Sequence, residues 1–447
     1  MLPSALCDLA SVVGGIAEGN PVISGLAIDS RKVAEGDLFV ALVAERDGHD
    51  FIENAAESGA SAALVSKPIT TLPSIFVKDT EVAMSDLART IRDSFAGEVL
   101  ALTGSQGKTS TRGFLASILT EMVTASSAES VLVTQGNLNN HLGVPLTMAR
   151  LRSHHRYALF ELGASAIGEI DHLASIVRPQ ISALLNARAA HLEGFGSLDG
   201  VIEGKGEIID HTAINGTVIL NREEPAYQQW VERAGPRHII SVGRAHADLT
   251  WSQVSDQRIR MVYADREINA SLPTLGLHLM ENAALASAMA IAAGATDQAI
   301  IRGLETASIE PGRMTPIQMG QTLLIDDTYN ASPQAVRAAI DWLATRSGIR
   351  VLTMGGLSEL GDLAEQEMHA LGVYAKTKGI DRLIATGTAN PIAEGYGENA
   401  MYFPTQDEVS ASLIESARDA DVILVKGSRS ARMDRVIDTL KLQQGGW

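Results

Sequence analysis

The most informative hydrophobic pattern in the chain is an apolar run that ends at a glycine and is followed by a helical repeat. Residues 99–102 are all apolar, and Gly104 ends the run. Apolar residues then recur at the spacing of one helix face, at Phe114, Leu115, Ile118, Leu119 and Met122. This pattern predicts a buried strand that runs through a glycine turn into a helix.

Similar short apolar runs recur along the chain, separated by helical patterns. Near the N-terminus they cover 38–42 and 62–65, and 85–95 has a helical pattern. Later runs form two groups, 158–162, 181–186 and 218–220, then 323–326, 351–354, 382–385 and 422–425. Alternation of strands and helices is typical of mostly parallel sheets covered by helices. The sequence therefore predicts an α/β protein with two doubly wound parallel sheets, one for each later group.

Two breaks in these patterns predict three domains. The first break precedes the run at 99–102, and the second is the turn-forming pair Pro311-Gly312. We predict domains over 1–96, 97–312 and 313–447. Within the last, Ser332-Pro333 predicts a helix start, because Ser caps helices and Pro is favoured at the first helical position.

Composition and charge narrow the functional classes. The 447 residues include 53 acidic and 36 basic side chains, a net charge of −17 that disfavours nonspecific nucleic-acid binding. No apolar run reaches the roughly 18 residues of a membrane span, and the first residues do not resemble an export signal. The single Cys7 allows no internal disulfide and argues against a thiolate zinc site. We therefore expect a cytoplasmic protein.

The glycine turn carries the first candidate chemistry. Residues 103–110 read T-G-S-Q-G-K-T-S, a compact form of the phosphate loop in which Leu102 replaces the usual first glycine. Glycines let the backbone approach phosphate oxygens, and N–H groups at a helix start point at an anion. Lys108 can reach the outer phosphates, and the Thr109 hydroxyl can ligate Mg²⁺. The loop predicts a nucleoside triphosphate site.

Three further residues follow strands, where ligands bind in such sheets. Glu161 lies at the end of one run, His191 follows the next, and Lys205 lies on a helix that Ser197 is predicted to cap. Each alone is more often a capping, salt-bridged or solvated residue. Together they favour a metal site, because Glu and His ligate divalent ions. An ammonium cannot, so Lys205 would have to react with CO₂ to give a carbamate.

Motifs along nearly the whole chain resemble the Mur ligase family, whose members build the peptide stem of bacterial peptidoglycan. They are DSRKVAEGDLFVAL (29–42), TGSQGKTS (103–110), TQGNLNNHLGVPLT (134–147), FELGAS (160–165), AAHLEGFGSLDGVIEGKGEI (189–208), PGRM (311–314), DDTYNASP (326–333) and LVKGSRSARM (424–433). HLEGFGS, DDTYNASP and KGSRS together resemble the member that adds a dipeptide.

The resemblance implies a fold and a reaction. It implies a small N-terminal α/β domain that binds UDP, a central ATPase domain, and a C-terminal Rossmann-like domain that closes on ATP and binds the dipeptide. The reaction would join D-alanyl-D-alanine to UDP-N-acetylmuramoyl-tripeptide through an acyl phosphate. It would use ATP and two Mg²⁺ ions, with Lys205 carbamylated. The resemblance leaves the third stem residue open, and no feature requires more than a monomer.

The resemblance also assigns residues to roles. Lys108, His191, Lys205 and Arg313 would be catalytic. ATP would be held by Gly104, Ser105, Gln106, Gly107, Lys108, Thr109, Ser110, Asn282, Arg313 and Asp327. The UDP substrate and the dipeptide would be bound by Ser30, Arg31, Asn137, Asn139, Asn140, Tyr329, Asn330, Lys426, Ser428 and Arg429. The metal ligands would be Thr109, Glu161, His191 and Lys205.

Two positions depart from the family pattern, and three alternatives stay open. Leu279 stands where relatives have a polar residue near the adenine, and Gly356 where they have Asp. The alternatives are a family ligase that adds a single amino acid or extends folate with glutamate, a phosphate-loop motor or switch, and a related binding protein without turnover. ADP release measured with and without D-alanyl-D-alanine would separate them.

Overall fold

The computed structural model describes residues 2–123, 128–188, 191–358, 360–416 and 419–442. The chain folds into two compact units. Unit 1 consists of Met1–Trp251, Met261–Ile268 and Asn282–Gly303, and unit 2 of Ser252–Arg260, Asn269–Glu281 and Leu304–Trp447. Within the described ranges, no helix has both the length and the apolarity needed to span a bilayer.

The N-terminal part of unit 1 holds a two-stranded and a five-stranded sheet. Its elements are β1 (Ser4–Ala5), α1 (Leu6–Val12), β2 (Ile16–Glu18), β3 (Val22–Ile23), β4 (Gly25–Ala27), β5 (Asp37–Val40), α2 (Ile52–Glu57), β6 (Ala62–Val65), β7 (Ser74–Phe76) and α3 (Thr80–Asp93). The larger sheet has the order β2-β7-β6-β5-β4, with β4 to β7 parallel. The runs at 38–42 and 62–65 are β5 and β6, and Asp79 caps α3.

A nine-stranded sheet follows, with the order β16-β15-β14-β13-β12-β11-β8-β10-β9. Its strands are β8 (Glu98–Thr103), β9 (Val131–Val133), β10 (Tyr157–Glu161), β11 (Ile181–Leu184), β12 (Thr217–Asn221), β13 (His238–Gly243), β14 (Leu249–Ser255), β15 (Arg258–Tyr263) and β16 (Arg266–Ser271). Strands β8 to β13 are parallel. The predicted strand at 99–102 is β8, whose buried position explains its unbroken apolar run.

Helices connect these strands, as the alternating pattern predicts. They are α4 (Lys108–Val123), α5 (Gly143–Ala149), α6 (Glu169–Val177), α7 (Leu192–Phe195), α8 (Leu198–Asp210), α9 (Tyr227–Ala234), α10 (Leu277–Ala292) and α11 (Asp297–Glu305). The predicted cap of α8 is confirmed, because Ser197 Oγ accepts from Gly200 N at 3.1 Å. The borders of the two units fall within β14, β15, β16, α10 and α11.

Unit 2 holds a six-stranded sheet with the order β17-β18-β22-β19-β20-β21. Its elements are β17 (Thr315–Met319), β18 (Thr322–Asp327), α12 (Pro333–Ala344), β19 (Arg350–Met354), α13 (Ala364–Thr377), β20 (Arg382–Thr386), α14 (Asn390–Tyr396), β21 (Ala400–Phe403), α15 (Gln406–Ser416), β22 (Val422–Lys426) and α16 (Asp434–Leu442). All neighbours are parallel except β17 and β18. The predicted start of α12 is confirmed, because Ser332 Oγ accepts from Ala335 N.

Candidate active site

The candidate site of unit 1 lies at the carboxyl ends of three neighbouring strands. β8 pairs with β10 on one side and with β11 on the other. Leu102 is in register with Glu161, and Thr103 with Leu184. The glycine loop after β8 and the segments after β10 and β11 therefore meet at one edge of the sheet.

The segment after β11 fixes the shape of the glycine loop. Asn186 Oδ1 accepts from Gln106 N at 2.9 Å, and Asn186 Nδ2 donates to Gln106 O at 3.1 Å. Ser105 Oγ accepts from Arg188 N at 2.9 Å and donates to Arg188 O at 3.2 Å. Gly107 has φ = 80°, a left-handed conformation that costs glycine little. The loop is thus held from the neighbouring strand as well as by its own turn.

The first turn of α4 presents the polar groups that the motif predicts. Lys108 Nζ donates to Gly104 O at 2.7 Å, so the ammonium lies over the loop. Thr109 Oγ1 lies 3.4 Å from Glu161 Oε1. Ser110, the next residue of the helix, is buried. A cation and a hydroxyl therefore stand at the helix start, where an anion is favoured.

Glu161 is the buried centre of this edge. Its Oε1 accepts from Asn139 Nδ2 at 2.9 Å, and its Oε2 lies 3.2 Å from Arg112 Nη1 in an ion pair. Thr134 Oγ1 accepts from the Glu161 amide at 3.1 Å. Arg112 also donates to Gly136 O at 2.8 Å. The carboxylate is thereby held in one orientation toward Thr109.

Lys205 lies on α8 beside the end of β10. Only 2% of the residue is exposed, its Nζ donates to Ala164 O at 3.0 Å, and it stands 5.2 Å from the centre of the Phe195 ring. Burial, with the charge of Lys108 nearby, lowers the pKa of Lys205 to about 7. A large fraction of the amine is therefore neutral near pH 7.

Two glycines bring α7 against α8. A Cβ on Gly200 would stand 2.0 Å from Phe195 O, and one on Gly204 2.7 Å from Phe195 Cε1. The close approach places Phe195 beside Lys205. His191 precedes α7 with φ = 53°, and its carbonyl accepts from Phe195 N at 3.1 Å.

Part of the predicted metal site has suitable chemistry. The Thr109 hydroxyl and the Glu161 carboxylate are oxygen donors, which Mg²⁺ prefers, and they lie within 3.4 Å of each other. In the described ranges, no group of three or more His, Cys, Asp or Glu side chains is arranged to hold a metal ion. Lys205 would complete such a group only as a carbamate. The set of Glu161, His191 and Lys205 stays a prediction.

The predicted asparagines occupy different places in unit 1. A Cβ on Gly107 would stand 2.4 Å from Asn282 Oδ1, so the Asn282 side chain lies against the glycine loop. Asn139 is half-buried, and its Nδ2 donates to Glu161 Oε1. Asn140 Oδ1 accepts from backbone amides at the start of α5. Asn137 O accepts from Asn139 N at 2.8 Å within the same loop.

Ser30 and Arg31 lie in a short helical turn of the N-terminal sheet region. The Arg31 guanidinium donates to both carboxylate oxygens of Asp29, at 2.9 and 2.8 Å. These hydrogen bonds lower the pKa of Asp29 to about 2. The Arg31 side chain is 86% exposed, and Ser30 is buried. Arg31 is therefore held at the surface by its neighbour.

In unit 2, two arginines flank Tyr329 just after β18. The Arg313 guanidinium lies 4.0 Å from the centre of the Tyr329 ring, and that of Arg429 lies 6.0 Å from it. A Cβ on Gly312 would stand 2.7 Å from Tyr329 N, so glycine is required for this approach. Asn330 follows and is exposed. The cluster joins cations to an aromatic face.

A buried ion pair stands beside this cluster. Lys426 Nζ donates to Asp327 Oδ2 at 2.7 Å and to Asn330 O at 2.9 Å. Asp327 Oδ1 accepts from Met314 N at 3.2 Å. Ser428 Oγ donates to Gly356 O at 2.7 Å. The predicted residues at the ends of β18 and β22 thus lie close together.

The two departures from the family pattern have packing roles. Leu279 is buried in the hydrophobic core of unit 2 together with Leu275 and Met314. A Cβ on Gly356 would stand 1.9 Å from Thr388 Oγ1. The Thr388 hydroxyl therefore occupies the space that a side chain at position 356 would need.

Several residues of the site lie outside the predictions. They include Arg112, Asn186, Arg188 and Glu224. Arg112 lies on α4 among Thr, Ser and Glu side chains, so the pattern of that helix gives no signal that singles it out. The partners of the others lie 36 to 83 residues away, and local pattern does not reveal such pairs.

Comparisons with known proteins agree along the whole chain. Family models described as the catalytic domain of the Mur ligase family, the Mur ligase middle domain and the Mur ligase glutamate ligase domain match 22–101, 102–290 and 312–429. The UDP-N-acetylmuramoyl-tripeptide--D-alanyl-D-alanine ligase of Escherichia coli is 38% identical over 99% of both chains.

Solved structures are similar as well. MurF from Acinetobacter baumannii has a TM-score of 0.89 and 34% identity, covering 98% of this chain and 100% of that one. MurF ligase from Thermotoga maritima, solved in complex with ADP, has a TM-score of 0.82 and 28% identity, covering 94% and 98% of the two chains.

Proposed function

We propose that this chain, which belongs to the Mur ligase family, joins D-alanyl-D-alanine to UDP-N-acetylmuramoyl-tripeptide with the hydrolysis of ATP to ADP and phosphate. The observation that carries the proposal is the 38% identity over 99% of both chains to a ligase named for this reaction. The phosphate loop and the charged groups around it support the ATP-dependent chemistry.

The proposed reaction has two chemical steps. The terminal carboxylate of the tripeptide attacks the γ-phosphorus of ATP, which forms an acyl phosphate and releases ADP. The amine of D-alanyl-D-alanine then attacks the acyl carbon, loses a proton and expels phosphate. Both reactants of the first step are anions, so the site must offset their repulsion.

The residues of unit 1 supply that compensation in the proposal. Lys108 donates to the transferring phosphoryl group, and backbone N–H groups of residues 104–110 bind the phosphates. At an effective dielectric constant of about 20, one cation about 4 Å from an anion contributes on the order of 4 kcal/mol. Asn282 lies against the loop, in keeping with its proposed place beside the adenine.

Magnesium and carbamylation belong to the proposal as well. Thr109 and Glu161 would hold one Mg²⁺, and Glu161, His191 and carbamylated Lys205 a second, to neutralise phosphate charge. The neutral Lys205 amine can attack CO₂, lose a proton and leave a carboxylate. The lowered pKa of Lys205 favours this step, because only the unprotonated amine is nucleophilic.

Other residues are proposed to bind substrates. Ser30, Arg31, Asn137, Asn139 and Asn140 would face the UDP substrate, and Tyr329, Asn330, Lys426, Ser428 and Arg429 the dipeptide or the nucleotide. Arg313 would reach the γ-phosphate, and Asp327 the ribose. Both oxygens of Asp327 already accept hydrogen bonds, so ribose binding would have to share or exchange one of them.

The domain organisation is proposed as 1–96 for UDP-substrate binding, 97–312 for ATP, and 313–447 for the dipeptide and for closure on ATP. Small-angle scattering with ATP and UDP substrate tests closure, which predicts a smaller radius of gyration. We also propose a cytoplasmic monomer, because ATP and the UDP substrate are cytoplasmic metabolites. Gel filtration at several concentrations tests the oligomeric state.

An ADP-release assay tests the function. UDP-tripeptide and ATP are supplied with and without D-alanyl-D-alanine, and the UDP-pentapeptide is identified by mass. We expect ADP and pentapeptide in equal amounts, only with the dipeptide. ADP release that ignores the dipeptide would indicate an NTPase, and an amine screen in which single amino acids replace it would indicate another ligase of the family.

A further inference from the structure

A buried carboxylate in the turn after β12 contacts the segment that holds the phosphate loop. Glu224 follows β12, two strands from β8 in the sheet order, and only 3% of the residue is exposed. Burial raises the pKa of Glu224, and the adjacent Arg188 guanidinium opposes that shift. No part of the proposed reaction uses this group directly.

Both contacts of the carboxylate are on the segment that leaves β11. Glu224 Oε2 accepts from Ala187 N at 3.2 Å and from Arg188 Nη1 at 2.8 Å, and Oε1 forms an ion pair with Arg188 Nη2. A carboxylate that receives a backbone N–H and a guanidinium fixes the segment between them. Residues 187 and 188 are therefore held in one conformation.

The same segment contacts the phosphate loop. The Arg188 amide donates to Ser105 Oγ at 2.9 Å, Ser105 Oγ donates to Arg188 O at 3.2 Å, and Ser105 N donates to Asn186 O at 3.1 Å. Each hydrogen bond in this path is between buried or half-buried groups. A shift of Arg188 would move the hydroxyl that anchors the loop.

We propose that Glu224 is a positioning residue for the ATP phosphates, acting through Arg188 on Ser105 of the phosphate loop. The proposal rests on the proposed function only in placing ATP at this loop. Glu224 itself does not touch the nucleotide. The negative charge of Glu224 matters because both of its oxygens face the Arg188 guanidinium. A glutamine has only one oxygen, so its NH₂ group would face one of the two guanidinium nitrogens, and the remaining hydrogen bond would lose its charge.

The test measures ADP binding by calorimetry in the full chain. In Glu224→Gln we expect the Kd for ADP to rise by about tenfold, the cost of one charge-assisted hydrogen bond. The binding stoichiometry and the Kd of the UDP substrate should stay as in the wild type. A folding defect would lower the stoichiometry instead of the affinity.

Glu223→Gln is the matched control. Glu223 is the preceding residue and is exposed, and its Oε1 accepts from Arg244 N, directly after β13, at 2.8 Å. We expect wild-type ADP binding in this variant. An equal loss in both variants would mean that any change in this turn weakens binding, and would overturn the proposal.

A double-variant comparison tests the path through Ser105. Ser105→Ala should weaken ADP binding by itself, and the variant with both Ser105→Ala and Glu224→Gln should bind ADP no more weakly than the worse single variant. Additive losses would show that Glu224 does not act through Ser105. Unchanged ADP affinity in Ser105→Ala would overturn the path even if Glu224→Gln does not fold.

These results are separable from the reaction itself. If the wild type makes no pentapeptide but Glu224→Gln still weakens ADP binding, the proposed function fails and the role of Glu224 stands. If pentapeptide forms and Glu224→Gln binds ADP within twofold of the wild type, the role of Glu224 fails and the function stands.

Discussion

The two units gather charged side chains at the same kind of place, the carboxyl ends of parallel strands, but they hold their lysines differently. In unit 1, Lys108 and Lys205 donate to the backbone carbonyls of Gly104 and Ala164. In unit 2, Lys426 donates to the Asp327 carboxylate and is buried with it.

This difference separates lysines that can bind an anionic ligand from a lysine that stabilises the fold. A lysine that donates to a neutral carbonyl can exchange that bond for an anionic ligand at little cost. A lysine in a buried ion pair leaves a buried carboxylate behind when it moves, which is costly. We therefore expect the lysines of unit 1 to affect the reaction and Lys426 to affect the stability of unit 2 first.

Lys108→Ala gives the largest expected effect. The loss of the ammonium from the transferring phosphoryl group should lower pentapeptide formation by about 10³-fold. The urea midpoint and the Kd of the UDP substrate should not change. Single-turnover kinetics measure the rate, and calorimetry measures the binding. Near-normal turnover would remove the phosphate loop from the mechanism.

Lys426→Ala tests the supporting role in unit 2. Removing one partner of a buried ion pair should lower the free energy of unfolding by about 3 kcal/mol, measured by urea denaturation. Lys378→Ala is the control, because Lys378 pairs with Asp341 at the surface and should shift the midpoint far less. If both variants unfold at the wild-type midpoint, the contrast between the units does not hold.

Lys205→Ala tests the carbamate. Activity should fall by about 100-fold and recover in part with short-chain carboxylic acids, which can supply the missing carboxylate. Lys205→Arg, which keeps the charge but forms no carbamate, should be inactive with the same acids or without them. Labelled ¹³CO₂ should give a carbamate signal only in the wild type. Full activity of Lys205→Ala would refute the modification.

Replacing His155 gives the smallest expected effect, a change in the pH dependence of stability. His155 lies just before β10, at the end of the strand opposite to the candidate site. Burial, with His154 and two arginines nearby, lowers the pKa of His155 to about 4 from 6.5. The folded state thus binds fewer protons than the unfolded state, so this contribution to stability is lost as the pH falls from 6.5 to 4. His155→Asn should flatten the urea midpoint over that range and leave activity at pH 7.5 unchanged. An unchanged pH dependence would mean that His155 is solvated.

The sequence predicts the strands that carry the site because those strands are buried on both faces. The apolar runs at 99–102 and 422–425 match β8 and β22 to within one residue at each end. The three strands at one end of the nine-stranded sheet, β14, β15 and β16, are not predicted. Most of their exposed positions carry polar residues such as Ser, Gln and Arg. The alternation of apolar and polar residues extends over only six or seven residues in each strand, which is a weak signal.

The site is predictable in its motifs but not in its connections. The glycine loop identifies Lys108 and Thr109 from local sequence alone. Arg112 and Glu224 emerge only from the structure, because their partners are set by the order of parallel strands. Likewise, the hydrogen bonds from Arg31 to the Asp29 carboxylate form only when residues 30–32 adopt their helical turn, so the sequence alone does not reveal them.

The contact between position 356 and Thr388 constrains how this chain can diverge. A β-carbon at position 356 would clash with the Thr388 hydroxyl, so we expect the two positions to covary among homologues. Lineages with an acidic residue at position 356 should carry a residue without a side-chain hydroxyl, such as glycine or alanine, at position 388. Reintroducing aspartate here by engineering would accordingly require a compensating exchange at residue 388.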